Sequence, residues 1–238
     1  MLKIVCWKWK PFDGKLHPKK RIMFTAEHVN VMYSMLFRNL SVPFQLYCIT
    51  DDPEGINPLV KIIPLWNDLR PMGGCYTRLK AFSKEMKKLI GKDFFSIDLD
   101  TVILQDITNL LESTRTNHDF KIWGDTNPTT PYNGSFFYMK SGCRADVWEL
   151  FNPASSPAFA KAKGYVGTDQ AWIGACLGRY ESRWDKQDGI YSYRCHFQEE
   201  GGRTELRGDE KIVFFHGSHD PSKPETQAIV PWVKEHWR

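Results

Sequence analysis

The first fifty residues constrain the fold most. Residues 2–6 (LKIVC) form a short apolar run of strand type, and residues 44–50 (FQLYCIT) form a second, β-branched at its end. Between them Val29, Met32, Tyr33, Leu36, Phe37 and Leu40 recur at i, i+3, i+4, i+7, i+8 and i+11, one apolar stripe on a helix. Thr25 is placed to cap that helix and Pro43 to help end it. Strand and helix alternate through the first half, which predicts an α/β fold with a mostly parallel sheet and helices on both faces.

Further along, Leu79, Phe82, Met86 and Leu89 stand at helical spacing over residues 76–90, with Gly91 where a helix stop belongs. Residues 94–97, 120–123, 135–139 and 211–215 read as strands. Residues 101–104 look extended and 107–111 look like a helical turn, while 145–151 and 169–177 read as helices. The second half is more irregular. It is expected to close a site over the carboxyl ends of the sheet, where open α/β folds bind their ligands. There is no internal repeat and no linker rich in Gly and Ser, so one domain over residues 1–238 is the simplest organisation.

With 42% hydrophobic and 25% charged residues, the chain has enough apolar surface to exclude disorder as its main state. Aromatic residues at 14% fit either a cleft lined by flat rings or a well-packed core. A net charge of +4 permits a phosphate-bearing partner without demanding one. No apolar run approaches the ~18–20 residues of a membrane span. The opening MLKIVCWKWKPF has no small-residue cleavage site, so no signal peptide is expected. The six cysteines are scattered without CxxC pairing, which argues against a disulfide framework and for a cytoplasmic setting. The tail PWVKEHWR holds Trp232 and Trp237 among basic residues, a pattern compatible with a weak membrane-surface contact.

The segment that carries chemistry is FFSIDLDTVI, residues 94–103. An apolar strand delivers Asp98 and Asp100 to the ligand edge of the sheet, and residues i and i+2 of an extended chain face the same side. Two like charges side by side call for a positive partner, and Mg²⁺ or Mn²⁺ suits oxygen ligands that share it with phosphates. A solvated turn after the strand would read the same. Residues 214–224 (FFHGSHDPSKP) add His216 as a possible imidazole ligand, Gly217 as a place for close backbone approach, and Lys223 as a point charge for a diphosphate. Taken singly, each of these has an ordinary structural explanation.

Taken together they resemble the nucleotide-sugar-dependent glycosyltransferases of type-A fold, with glycosyltransferase family 8 the nearest pattern. Tyr76-Thr77-Arg78-Leu79 resembles the family's YxRL segment, and Asp98-Leu99-Asp100 its DxD. Tyr132-Asn133-Gly134-Ser135 resembles its FN-small-G segment, Gly167-Thr168-Asp169-Gln170 its DQ pair, and His216-Gly217 through Lys223-Pro224 its HFxGxxKPW ending. These segments span residues 76–224 in the family's order. The chain departs from the pattern after its first strand, where Cys6-Trp7-Lys8-Trp9 replaces an acidic segment, and at its longer final element.

The resemblance implies a single-domain type-A fold, with a nucleotide-binding half over about 1–105 and a closing half over about 106–238. It implies a hexosyltransferase using a nucleoside-diphosphate sugar, UDP favoured, with retention of anomeric configuration. Asp98, Asp100 and His216 would hold a Mn²⁺-type ion (or Mg²⁺). Lys223 and the Gly217 backbone would meet the diphosphate, and Arg78 phosphate or sugar hydroxyls. Asn133 and Asp169 would bind sugar hydroxyls, Gln170 would sit near the anomeric carbon, and Trp7 or Trp9 of the pair, with Lys8, would meet base and ribose. The acceptor, whether glycan, protein or modified DNA, is not identified. Two other classes are weighed beside this one. A nucleic-acid-binding protein would use the basic stretch at residues 8–21, and a metal phosphohydrolase would use the same carboxylates without a second acidic or His cluster.

Overall fold

The structure is a computed structural model, and it describes residues 1–10, 23–124, 127, 129–199, 201–217 and 219–238. Strand β1 (Leu2–Lys8) is followed by helix α1 (Ala26–Asn39), β2 (Phe44–Thr50) and β3 (Lys61–Pro64). A 3₁₀ segment (Tyr76–Phe82) and the short α2 (Met86–Leu89) precede β4 (Asp93–Ile97) and β5 (Thr101–Ile103). Next come α3 (Thr108–Asn117), β6 (Phe120–Trp123), β7 (Asn133–Lys140), α4 (Asp146–Glu149), α5 (Ser156–Ala162) and α6 (Asp169–Leu177). The chain continues through β8 (Arg183–Trp184), β9 (Ile190–Ser192), β10 (Ile212–Phe214), α7 (Pro224–Ile229) and α8 (Trp232–His236).

The main sheet has the order β3-β2-β1-β4-β7-β6-β8. Strands β3, β2, β1 and β4 run parallel, β7 runs antiparallel between β4 and β6, and β8 lies parallel to β6. A second sheet, β5-β10-β9, pairs β5 antiparallel with β10. The expected α/β architecture with a mostly parallel, mixed sheet is therefore present.

β1 shows how the sequence produces this. Successive side chains of a strand point to opposite faces. Leu2, Ile4 and Cys6 pack with Val29, Met32, Met35 and Leu36 of α1 on one face. Val5 and Trp7 pack with Leu79, Phe82 and Phe94 on the other. A strand covered on both faces has to be apolar throughout, which explains the run LKIVC. β1 runs two residues past the expected end, so Trp7 pairs with Ile49 and Lys8 with Thr50 inside the sheet.

Three local expectations need correction. In α1, Met35 is buried and Phe37 is 70% exposed. Each residue turns the helix by about 100°, so the face centred on Met32 and Leu36 takes in Met35 and leaves Phe37 outside. The helix expected over residues 76–90 is broken at Ser83, which is extended (φ −66°, ψ 151°), and Leu89 is exposed rather than core. Trp232 and Trp237, on which a membrane-surface contact would rest, are both 7% exposed and belong to the core beside α1. Among the described residues no helix is long and apolar enough to cross a membrane.

Candidate active site

The carboxyl ends of β1, β4 and the start of β7 meet at one place. Asp98 N–H donates to Ser135 O at 2.8 Å, which continues the β4–β7 ladder one residue beyond β4. Leu99 is fully buried and anchors the turn, so the two aspartates flank a fixed apolar side chain. The Thr101 hydroxyl donates to Asp98 O at 2.6 Å and closes it.

Arg78 reaches this turn from the 3₁₀ segment. Its Nη1 donates to Asp98 Oδ1, and its Nε donates to Asp169 Oδ2 at 2.8 Å. Arg78 is 5% exposed and Asp169 2%. Burial works against the charge of Arg78, yet the Asp169 and Asp98 carboxylates raise its pKa well above the ordinary value. Arg78 thus supplies positive charge beside the first aspartate of the DxD. Asp169 opens α6, as expected, and also accepts from Thr168 Oγ1 at 3.2 Å through its other oxygen. Gln170 follows on the same turn, with Nε2 donating to Val166 O at 3.3 Å. Asn133 starts β7 and accepts the Ser135 N–H at 2.9 Å.

His216 comes to the same region through the second sheet. Phe214 pairs with Thr101, and Phe215 N–H donates to Asp100 O at 2.7 Å. The next residue in the chain is His216. Its Nε2 lies 2.7 Å from Ser192 Oγ at the end of β9. Desolvation pulls its pKa down to about 4, with Arg194 acting in the same direction and the Asp98 charge opposing, so the ring is neutral at pH 7. Ser192 is a residue that the sequence offered no pattern to find, because it ends a three-residue strand with no motif around it.

The remaining predicted residues are placed differently. Trp7 is 1% exposed, and its Nε1 donates to Ser96 Oγ at 2.8 Å inside the core. The base contact expected of Trp7 does not fit that position, since both ring faces are enclosed. Trp9, past the end of the strand, stays partly exposed and packs edge-on to Trp7 at 6.4 Å. Lys8 is 3% exposed and bonded to the Asp52 carboxylate at 2.9 Å. Hydrogen bonds from Lys8 and Lys10 hold the Asp52 carboxyl below its usual range. Gly217 is exposed with φ 103°, and Lys223 precedes α7 with Nζ 4.0 Å from Glu225. Most of the basic stretch at residues 8–21 lies outside the described residues. Its described cations Lys8 and Lys10 both pair with Asp52, so these two give no support to a nucleic-acid-binding reading.

No known protein-family profile matches this sequence, and no curated protein matches it. Solved structures do. The galactosyltransferase LgtC in complex with donor and acceptor sugar analogues superposes with a TM-score of 0.58 at 9% identity, covering 99% of this chain and 96% of that one. Mouse xyloside xylosyltransferase 1 gives a TM-score of 0.54 at 12% identity, over 90% of this chain and 97% of that one. The glycosyltransferase GlyE of Streptococcus pneumoniae TIGR4 gives 0.61 at 10% identity, over 100% of this chain and 62% of that one. The chain has the type-A glycosyltransferase fold.

At identities this low the likeness establishes the fold alone. Whether a cation suits this type-A site is a matter of its donors. Among the described residues, no three His, Cys, Asp or Glu side chains are grouped so that they could hold a metal ion. The donor chemistry nevertheless fits. Asp98 Oδ1 is taken by Arg78, while its Oδ2 has no hydrogen bond among the described residues. Asp100 is fixed through its own backbone beside His216, and that imidazole is neutral, the form that ligates a metal.

Proposed function

We propose that residues 1–238 act as one glycosyltransferase domain that moves a hexose from a nucleoside-diphosphate sugar, UDP favoured, to an acceptor. The observation that carries this reading is the meeting of Arg78, Asp98 and Asp169 at the sheet's carboxyl ends, with His216 brought alongside Asp100 by the β5–β10 pairing. The fold shared with sugar-transferring enzymes supports it.

In this reading Asp98, Asp100 and His216 hold a Mn²⁺-type ion (or Mg²⁺). When bound, such an ion supplies Lewis-acid stabilisation for charge on the departing diphosphate. The chain's own groups do the rest. The Gly217 N–H and Lys223 meet the diphosphate, and Trp9 offers a ring face to the base. Asn133 and Asp169 accept from sugar hydroxyls, with Arg78 holding Asp169 in place. Gln170 stands near the anomeric carbon. An active-site glutamine-to-glutamate variant is among the LgtC structures this chain superposes on, which supports a glutamine in such a site. An amide is a poor nucleophile, so retention would proceed by same-face attack, with the Gln170 oxygen steadying an oxocarbenium-like centre. None of the six cysteines is in a disulfide, and their scattered spacing supports a cytoplasmic setting.

Thermal unfolding with UDP, with Mn²⁺, and with both tests the reading. Joint stabilisation beyond either alone is expected, together with slow Mn²⁺-promoted hydrolysis of UDP-glucose or UDP-galactose that Asp100→Ala abolishes. Unchanged hydrolysis in Asp100→Ala would refute the cation assignment. No stabilisation by UDP under any condition would refute the donor class.

A further inference from the structure

Thr168, Asp169 and Gln170 are consecutive, and each packs against a glycine. A methyl group at Gly74, on the loop before Arg78, would lie 2.6 Å from Thr168 Cγ2. At Gly134, in β7, it would lie 2.6 Å from Asp169 Oδ2 and 3.2 Å from Arg78 Nη2. At Gly167 it would lie 2.7 Å from Gln170 Cγ. Unstrained structures do not hold a Cβ that close to another heavy atom.

Gly74 and Gly167 have φ of 58° and 118°, so backbone conformation already favours glycine at both. Gly134 is different. It lies in a regular strand outside the positive-φ region, where any residue could follow the backbone. Only space accounts for it. The atom it spares is not a free side-chain end. Asp169 Oδ2 accepts from Arg78 Nε, Asp169 Oδ1 accepts from Thr168 Oγ1, and both acid and base are buried. A methyl at position 134 requires something to shift, and the nearest atom in its way is the carboxylate oxygen bonded to Arg78.

We propose that Gly134 is a positioning residue: the missing side chain in β7 holds the Asp169 carboxylate on Arg78 and thereby sets the face offered to the donor sugar. The part of this that concerns the donor rests on the function proposed above. The packing part does not. Gly74 and Gly167 do the same for Thr168 and Gln170.

The test is a double-mutant cycle of Gly134→Ala and Asp169→Ala read by thermal unfolding, which needs no substrate. Gly134→Ala is expected to lower Tm in the native background and to cost much less once Asp169 is Ala, with only the 3.2 Å approach to Arg78 Nη2 remaining. If Gly134→Ala fails to fold, recovery of folded protein in the double variant carries the same meaning. A double variant that bears the full added cost, or that fails to fold where Asp169→Ala alone folds, overturns the proposal. The second reading is UDP-sugar hydrolysis, where Gly134→Ala should raise the donor KM about tenfold, as loss of one hydrogen bond to a charged group does, with kcat reduced no more than about threefold. An unchanged KM overturns the donor part. Absence of hydrolysis by the unaltered protein removes the donor part together with the proposed function, while the thermal cycle still decides the packing part.

Discussion

Arg78 Nε donates to the Asp169 carboxylate at 2.8 Å, joining two residues 91 positions apart in the chain. The same guanidinium also holds Asp98, so one buried cation balances two acids. Removing one partner of a buried ion pair leaves uncompensated charge. Arg78→Ala should therefore cost about 3 kcal/mol or more in urea unfolding. Arg78→Lys should recover only part of that, because an ammonium cannot fork to two carboxylates. A loss below about 1 kcal/mol for Arg78→Ala would place the pair outside the stability core.

His216 links stability to pH. Its folded pKa of about 4 lies below the ordinary 6.5, so the folded state disfavours the proton. Its contribution is full above pH 6.5. Between 6.5 and 4 the unfolded chain binds a proton that the folded chain does not, and stability falls as pH drops, by about 3 kcal/mol at most. Denaturant titrations of chelator-treated protein from pH 7.5 to 4 should show this slope, and His216→Gln should lack that share of it. Equal slopes in the two proteins would contradict a partly buried imidazole that resists protonation.

Gln170 is partly exposed, and its Nε2 donates to Val166 O at 3.3 Å. Gln170→Ala should leave stability within about 0.5 kcal/mol, as expected for a site outside the core. Its kcat for UDP-sugar turnover should fall about a hundredfold with KM little changed, the pattern of a group that acts in the transition state. A rise in KM at constant kcat would instead make it a ground-state contact.

Trp7 and Ser96 form a buried pair at 2.8 Å. Ser96→Ala leaves the indole N–H without its acceptor and should destabilise by about 1–3 kcal/mol. UDP affinity, measured by calorimetry with Mn²⁺ present, should not change in Ser96→Ala. Trp9→Ala should weaken it. A loss of affinity in Ser96→Ala with none in Trp9→Ala would return the base contact to Trp7.

The strands that carry the site were readable because burial on both faces forces a continuous apolar run, as in residues 2–6, 44–50 and 94–97. The DxD was readable for the same reason, since a polar pair directly after such a run has to emerge at a sheet edge. What could not be read is what depends on partners far along the chain. Nothing near Arg78 announces Asp169, and nothing near His216 announces Ser192. Trp7 and Trp9 look equivalent until β1 is seen to end at Lys8, which encloses the first ring and leaves the second partly outside. The break at Ser83 was hidden because Leu79, Phe82 and Met86 keep helical spacing across it, and all three are indeed buried.

The antiparallel pairing of β5 with β10 has a consequence for biosynthesis. Val102 meets Val213, so the segment bearing Asp100 gains its neighbour only after more than a hundred further residues have been added. Such distant pairings form slowly. A growing polypeptide on the ribosome will therefore have its first strands laid down long before Asp100 and Phe215 can be joined, and the candidate site is assembled only when the stretch around His216 has emerged.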